Sequence, residues 1–418
     1  MLEYYFSDPT RLRQLRRGPL VQYLDGMAAE LRRHGYQKTT GVNILGLAGQ
    51  FSRFLSTCGI SDASEISEEL GQKFVDEELV PMGVFRGAAN AIVHVLRYLR
   101  QSGIIAEVEK PHVDDPCADI IKRYITYLRD IRGLSFATCD GYTRSVRRFL
   151  AFHIERHKKL EFSALDGPEV LDYITTWANY ASSRSWVHNL ATNTRSFLGF
   201  LRWENLIDRD LERVVPSLRR WRLATVPSHL PWEQVREIID GVNAASPEGM
   251  RDRAILLLLA TLGLRNYDVR TMEFSHIDWR ESVIRLPKTK NLRARVLPMS
   301  QELGEAIADY ILNGRPHTDL PFVFIRHKAP VSAFTTSPAI TGIVQRHVKR
   351  LGIPTWAGHR GSHLLRHSLA SKMVNSGSSI KGVADMLGHA CIDTTAIYTK
   401  VDTVHLMEVA LPLPGGVK

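Results

Sequence analysis

Cysteines and long apolar runs are both scarce in this sequence. The four cysteines, Cys58, Cys117, Cys139 and Cys391, share no short paired spacing, so neither a zinc site nor a disulfide framework is predicted. The longest apolar run covers residues 254–260, far below the roughly 20 residues that span a bilayer. The first residues contain no basic segment followed by an apolar core, so no signal peptide is predicted. These absences argue against a membrane-spanning or disulfide-stabilised protein and favour a reducing, cytoplasmic setting.

Positive charge is in excess. Lysine and arginine number 54 against 44 aspartates and glutamates, which gives a formal net charge of +10 and a pI near 9.5. That balance favours a polyanionic partner, of which nucleic acid is the commonest, although many basic proteins bind no DNA. A length of 418 residues with 44% hydrophobic content is enough for about two to four domains with hydrophobic cores.

The first half of the sequence contains an internal repeat with helical patterning. The matched positions are Gly35 and Gly133, Thr40 and Thr138, Ile44 and Tyr142, Phe51 and Phe149, Phe54 and Phe152, then 96–100 and 198–202, and 104–105 and 206–207. The apolar members fall at helical spacing and are expected in a core, while Thr40 and Thr138 stand where an N-cap would begin a helix. The pattern predicts two similar bundles in tandem, each of about four helices. Arg144, Arg147 and Arg148 lie on the second one, either as a solvated face or in contact with phosphate.

Two polar, proline-containing segments, 109–116 and 219–231, are typical of linkers. They divide the chain into three predicted domains, 1–112, 113–222 and 223–418. In the last domain the sequence predicts a helix starting at Pro231, an apolar helix over Arg253–Leu264 and short strands at Val283–Leu286 and Arg295–Leu297. Helix returns from Gln301, which makes this domain mainly helical with a small hairpin, an α+β arrangement.

Arg265 follows the most apolar helix of the chain. Because that run is too apolar for the surface, the guanidinium is expected to find a partner or to face a cleft. Asp268, three residues on, is placed to orient it. A buried Arg–Asp pair without a catalytic role is the alternative.

The predicted hairpin carries a very basic segment between its strands. A lysine at such a tip can reach a DNA groove and protonate a leaving oxygen. Lys288 and Lys290 alternate onto the same face, so the pattern alone does not separate them, and a solvated turn is the alternative.

His363 and Arg366 are three residues apart and therefore share one face of a predicted helix, opposite a packed stripe of Leu365, Leu369 and Met373. Arginine binds phosphate through two nitrogens, and histidine exchanges a proton near neutral pH. This face is a candidate for chemistry on a phosphodiester.

The next predicted helix, Ile380–Leu387, ends at Gly388, and His389 follows directly. Asp393 or Thr394 is expected to cap a short helix that places Tyr398 about one turn in. Either residue alone would usually be structural, whereas the whole set at these spacings indicates a nucleophilic tyrosine.

Together these residues resemble the catalytic domain of the tyrosine recombinases, the phage-integrase family of site-specific DNA recombinases. The family pattern is an arginine after a Gly-Leu pair, a hairpin lysine, a His-x-x-Arg box, a Leu-Gly-His box and a tyrosine nine residues later. This chain supplies the pattern with Arg265, Lys290, His363, Arg366, His389 and Tyr398. The usual strand length before Pro298 selects Lys290 over Lys288. Asp268 replaces the family's usual Glu, and Leu364 replaces a common Asp.

The resemblance covers roughly residues 225–402 and implies an α+β catalytic domain preceded by two helical SAM-like bundles. The second bundle resembles the family's core-binding domain. The first, residues 1–112, is a less typical addition, either an arm-site domain or a second core-binding domain.

The resemblance also implies roles for the six residues. Tyr398 attacks the scissile phosphate, Arg265 and Arg366 hold its non-bridging oxygens, and His389 hydrogen-bonds it. His363 helps to take the tyrosine proton, and Lys290 protonates the leaving 5′ oxygen. No metal and no other cofactor is expected.

The implied partner is double-stranded DNA, bound by a homotetramer as two dimers on two sites, with an assembly that includes sister recombinases as the alternative. The apolar tail, 401–417, is expected either to dock on a neighbouring protomer or to pack on its own domain. The expected task is integration or transposition of a mobile element. The alternatives are a type IB topoisomerase-like enzyme and a catalytically silent DNA-binding protein that builds an assembly.

Overall fold

The computed structural model describes residues 1–81, 86–106, 115–181, 183–217, 228–287, 294–353, 361–389 and 394–401. The chain forms two compact units, one of Met1–Glu107 with Leu223–Lys418 and the other of Val108–Arg222. The first unit contains an N-terminal helical bundle with its own hydrophobic core, here called the first module, and a larger C-terminal part. The second unit is here called the second module.

The first module consists of α1 (Leu2–Tyr5), α2 (Pro9–Leu15), α3 (Val21–Arg33), α4 (Lys38–Thr57), α5 (Glu68–Phe74) and α6 (Arg86–Gln101). Side-chain caps fix two of the helix starts: Asp8 accepts from the Thr10 amide and Ser67 accepts from the Leu70 amide. Phe51 is fully buried at the centre of the core.

The second module consists of α7 (Ala118–Thr126), α8 (Phe136–His157), α9 (Gly167–Asn179) and α10 (Arg184–Trp203). Asp166 and Ser183 cap α9 and α10 through their side chains. A buried polar network ties α8 to α9, because the two oxygens of Glu169 lie 2.8 Å from His153 Nδ1 and 2.9 Å from His157 Nε2.

The predicted repeat is present in the later helices of each module, whereas the first module has six helices instead of about four, and α1 and α2 have no counterpart in the second module. In each module a long helix follows a glycine with positive φ, Gly35 at +75° and Gly133 at +63°, a conformation that glycine adopts without strain. A short 3₁₀ turn, a capped helix and a final long helix then follow in the same order in both modules. The predicted N-caps are wrong. Thr40 and Thr138 lie within the first turn, because the chain re-enters helix three residues after each glycine, at Lys38 and Phe136.

The C-terminal part consists of α11 (Trp232–Asp240), α12 (Pro247–Thr261), α13 (Asn266–Arg270), β1 (Ile277–Asp278), β2 (Val283–Leu286), β3 (Arg295–Pro298), α14 (Gln301–Asp309), α15 (Ser337–Arg350), α16 (Ser362–Asn375) and α17 (Ile380–Leu387). The strands form an antiparallel sheet in the order β1-β2-β3, with Ile284 opposite Leu297. Its central helix, α12, is buried along the whole apolar run 254–260. The prediction of a mainly helical fold with a small sheet in this part is confirmed.

Helix boundaries in this part follow the sequence signals. Pro231 precedes α11, Gly388 ends α17 at φ +64°, and both strands begin at the predicted residues. The apolar helix begins earlier than predicted, because Ser246 caps it through the Gly249 amide, and it ends at Thr261 instead of the predicted Leu264. No helix among the described residues is long and apolar enough to cross a membrane.

Candidate active site

Arg265 lies at the turn between α12 and α13. Gly263, at φ +58°, reverses the chain after α12, and the Arg265 amide donates to Asp268 Oδ2 at 3.1 Å. The side chain is half-buried. Burial lowers the pKa of the Arg265 guanidinium, and the positive charge of Arg295 lowers it further, against the opposing effect of Asp268.

Arg366 is buried on α16, with 3% of its surface exposed. One terminal nitrogen donates to the Gly263 carbonyl and the other donates to the Leu387 carbonyl at 2.8 Å. Burial and the charge of Arg265 lower the pKa of Arg366 to about 10, so the group is still charged at neutral pH. This single side chain therefore ties the ends of α12 and α17 to α16.

Tyr398 is buried in a 3₁₀ helix, Ala396–Val401, with 1% of its surface exposed. Its hydroxyl lies 2.7 Å from His367 Nδ1. Burial raises the pKa of Tyr398 to about 12, although the Arg366 charge opposes the rise. The hydroxyl is therefore protonated at neutral pH and needs a base before it can act as a nucleophile.

His367 is a site residue that the sequence analysis missed. The predicted proton acceptor, His363, lies one turn earlier on α16 and is exposed, with its ring centroid 6.3 Å from that of His367. The spacing of four residues between the two histidines was the available signal, because it places both on one helix face. The helix itself is buried on more faces than the predicted stripe, since Arg366 is buried as well as Leu365 and Leu369.

His389 follows Gly388 and is half-buried. Its Nδ1 lies 2.7 Å from the Thr395 hydroxyl. Burial lowers the pKa of His389 to about 4, and the charges of Arg366 and Arg265 act in the same direction. The imidazole is thus neutral at physiological pH. With the Thr395 hydroxyl donating to Nδ1, the remaining hydrogen would lie on Nε2, where it can be donated to an anion.

Asp268 accepts from the Arg265 amide, as described above, but the guanidinium with which it pairs is that of Arg295. Asp268 Oδ2 accepts from the buried Arg295 guanidinium at 2.9 Å, so the buried Arg–Asp pair joins α13 to β3. Arg295 also donates weakly to the Met386 carbonyl at 3.4 Å. A Cβ at Gly388 would lie 2.6 Å from Arg295 Cδ, which explains the glycine at that turn. Sequence reasoning missed Arg295 because its partner is 27 residues away.

The predicted lysines, Lys288 and Lys290, lie outside the described residues, as do Asp393 and the tail from residue 402. The strands on either side of the lysines are paired up to Leu286 and Arg295. Among the described residues, the one cluster of three metal-ligand side chains is His153, His157 and Glu169 in the second module.

The assembled site has an excess of positive charge. Arg265, Arg295 and Arg366 influence one another electrostatically, and Asp268 is the one carboxylate among the described groups that act on Arg366. Such a site is suited to an anion with several oxygens, placed near a tyrosine hydroxyl.

Comparisons with known proteins identify the family. The model of the phage integrase family matches residues 229–405, and that of the phage integrase N-terminal SAM-like domain matches residues 121–205. A putative integrase/recombinase, y4rF of Sinorhizobium fredii, is 37% identical over 419 residues, covering 100% of this chain and 96% of the relative.

Two solved structures show the same fold at low sequence identity. The XerH site-specific recombinase bound to its palindromic difH substrate has a TM-score of 0.56 at 16% identity, covering 75% of this chain and 92% of that one. The Tn1549 transposon integrase in complex with a circular intermediate DNA has a TM-score of 0.52 at 17% identity, covering 70% and 99%. The chain belongs to the phage integrase family, the tyrosine recombinases, which cleave and rejoin DNA strands.

Proposed function

We propose that the protein is a site-specific DNA recombinase that cuts and rejoins strands through a 3′-phosphotyrosyl link at Tyr398. The observation that carries the proposal is the placement of the Tyr398 hydroxyl beside an imidazole, with the buried Arg366 and half-buried Arg265 in the same site. A tyrosine held by an imidazole beside two guanidiniums provides a nucleophile and the cations that stabilise the negative charge of in-line attack on a phosphodiester.

The reaction is a transesterification. The Tyr398 oxygen forms a bond to the scissile phosphorus while the bond to the 5′ oxygen breaks, and no oxidant, reductant or nucleotide is consumed. The tyrosine proton passes to His363, and Lys290 gives a proton to the leaving 5′ oxygen. Arg265 and Arg366 hold the non-bridging oxygens, and His389 donates a hydrogen bond to them. Attack by a 5′-hydroxyl of a partner strand reverses these steps and releases Tyr398.

The described arrangement is a resting one. With 1% of its surface exposed, the Tyr398 side chain is covered by the residues around it. Attack therefore requires the tyrosine to leave His367, or the residues that cover it to move. On this view His367 holds the hydroxyl before DNA engages, and the exposed His363 takes the proton once the phosphate is bound.

The second module supplies a surface for the duplex. A groove of about 530 Å³ between α8 and α10 is lined by Arg144, Arg148, Thr138, Asn189 and Asn193 among others, and no carboxylate lines it. Arg148 is held over the rings of Trp177 and Trp186, at 5.0 and 5.5 Å from the ring centroids. Guanidiniums bind phosphates and so position the protein on the duplex, whereas side-chain amides hydrogen-bond to base edges.

The biological task that fits best is integration or transposition of a mobile element by a homotetramer on two DNA sites. Support comes from the name of the relative y4rF, an integrase/recombinase, and from the fold shared with a transposon integrase. Strand exchange between two duplexes needs four strand cleavages, hence four tyrosines.

The test is covalent capture. Duplexes bound by the Tyr398→Phe protein are selected from a random-sequence library, and the enriched site is resynthesised with a nick at each position in turn. A nick on the 3′ side of the scissile phosphate lets the released fragment, which carries the free 5′-hydroxyl, diffuse away, so the wild-type protein should accumulate as an adduct on a denaturing gel. Tyr398→Phe should give none, and Tyr4→Phe, which removes an exposed hydroxyl, should behave as wild type. Binding without an adduct at any nick would refute the catalytic proposal. Relaxation of unselected supercoiled plasmid by a monomer would favour the topoisomerase alternative.

A further inference from the structure

The first module has a groove at the position that corresponds to the groove of the second module. The two have volumes of about 550 and 530 Å³ and lie between the corresponding long helices, α4 with α6 and α8 with α10. Nine lining positions correspond in the repeat: Thr40 and Thr138, Asn43 and Gly141, Ile44 and Tyr142, Gly46 and Arg144, Leu47 and Ser145, Gln50 and Arg148, Gly87 and Asn189, Asn90 and Thr192, Ala91 and Asn193. The two modules thus correspond in their grooves as well as in the positions that form their separate cores.

The groove of the first module is open and polar at its walls. Asn43, Gln50 and Asn90 are exposed, and the buried Ile44 and Ala91 form apolar parts of its lining. A Cβ added at Gly87 would meet nothing within 4 Å, so the space beside this residue is open. The amides therefore face a space that this chain's described residues leave unfilled.

Charge around this groove is suited to a polyanion. None of its lining residues is acidic, and it includes Arg11. An adjoining cavity of about 360 Å³ shares Arg11 and Gln50 with it and adds Arg53, with Asp8 as its one carboxylate. Residues 8–53 contain eight lysines and arginines against three acidic residues, whereas seven acidic residues of the module are gathered in 62–78, beyond the groove.

We propose that the first module binds double-stranded DNA through the groove between α4 and α6, as a second DNA-binding domain in addition to the second module. The proposal rests on the proposed function, because the correspondence between the two grooves supports DNA binding by the first module only if the second module binds DNA. It assigns residues 1–106 to a duplicated core-binding role.

The side chains that line the two grooves differ, and the difference predicts which contacts with DNA each groove makes. Gly46 and Gln50 occupy the places of Arg144 and Arg148, so the first module has fewer cations for phosphate. Asn43, Gln50 and Asn90 offer side-chain amides. An amide can hydrogen-bond to both N6 and N7 of adenine in the major groove. We therefore expect the first module to add base preference more than salt-dependent affinity.

The experiment uses the full chain with Tyr398→Phe and duplexes selected from a random library with 60 variable base pairs. Hydroxyl-radical footprints and anisotropy titrations compare this protein with Asn43→Ala/Gln50→Ala and with Gln72→Ala. Gln72 is an exposed glutamine of α5 in the same module and serves as the matched control. The double variant should bind about tenfold more weakly, the loss expected for one or two base contacts. It should also lose protection over one block of base pairs and keep the rest.

A gain variant makes the test independent of folding damage. Gln50→Arg copies the cation found at the corresponding position of the second module and should tighten binding while making its salt dependence steeper by about one phosphate contact. Unchanged footprints and affinities in both variants would overturn the proposal. So would unchanged DNA binding accompanied by altered self-association, which would make the groove a protein contact.

Covalent capture keeps the two proposals apart. With Tyr398 restored, the double variant at saturating concentration should still form the adduct on the nicked site. If the wild type forms that adduct and the groove variants bind normally, this inference fails and the proposed function stands.

Discussion

His367 Nδ1 lies 2.7 Å from the Tyr398 hydroxyl, and both atoms are held inside the C-terminal part of the chain. The nucleophile of the proposed reaction is therefore hydrogen-bonded before any substrate arrives. The Tyr398 hydroxyl must therefore leave this partner during the reaction. We expect it to pass from His367 to His363, the other histidine of α16.

The first prediction separates these two histidines. His363→Ala should slow adduct formation in single turnover by a factor of about 10² or more, the usual contribution of a general base. His367→Ala should cost less than about tenfold, since it removes the resting partner and not the base. The measurement is the rate of adduct formation on the nicked site between pH 5.5 and 9. A larger loss in His367→Ala would show that the resting contact is also the catalytic one.

The second prediction separates the two arginines. Arg366→Ala should abolish cleavage and also lower the free energy of unfolding by about 2–4 kcal/mol, because it leaves the buried carbonyls of Gly263 and Leu387 without donors. Arg265→Ala should abolish cleavage with a smaller loss of stability, because its side chain is half-buried. Urea unfolding of both variants, with cleavage measured in parallel, checks the split. Equal loss of stability in the two would contradict it.

The third prediction concerns the buried pair of Asp268 and Arg295. Asp268→Ala should lower the free energy of unfolding by about 3–5 kcal/mol, because Arg295 is left as an unpaired buried charge. Arg295→Met in the same chain should recover part of that loss. A double-mutant cycle from urea unfolding measures the coupling. If the double variant were as unstable as the sum of the single ones, the two side chains would not depend on each other.

Local signals predicted the parts of the fold that depend on nearby residues. Gly388 ended α17 where expected because a positive φ is needed there, and the matched residues Phe51 and Phe149 are each buried in the core of their own module. The helix starts predicted at Thr40 and Thr138 are wrong, because the preceding glycine, and not the threonine, sets where each helix begins. Side-chain chemistry near helix ends is a weaker guide than backbone conformation in these turns.

The sequence predicted the reactive residues whose spacing along one segment defines them. It did not predict the partners that come from distant segments of the chain. Arg366 was expected to grip phosphate, yet its two carbonyl partners come from residues 103 and 21 positions away. The pairing of Asp268 with Arg295 likewise depends on how β3 packs beside α13. Sequence spacing identifies which groups can do chemistry, but the partners that orient them are set by tertiary packing.

The fourth prediction is a pH dependence. The pKa of His389 falls from 6.5 to about 4 on folding. Between these values the unfolded chain binds the proton and the folded chain does not. The free energy of unfolding should therefore rise with pH through this window, and the contribution of His389 should be lost as the pH falls from 6.5 toward 4. His389→Gln should make that slope shallower in urea titrations and should reduce cleavage. His327, whose pKa burial also lowers to about 4, provides the control: His327→Gln should flatten the slope and leave cleavage intact.

The fifth prediction tests the hairpin lysine by changing the leaving group. If Lys290 protonates the 5′ oxygen, Lys290→Ala should slow cleavage by a factor of about 10² or more. A duplex with sulfur in place of the bridging 5′ oxygen releases a thiolate that needs no proton, so the variant should cleave that duplex nearly as fast as the wild type does. Lys288→Ala is the matched control, with the same loss of one charge two residues away, and should cleave both duplexes at close to the wild-type rate. Rescue of Lys288→Ala instead of Lys290→Ala would move the role to Lys288. A loss in both variants that the sulfur duplex fails to restore would assign these lysines to DNA binding and not to proton transfer.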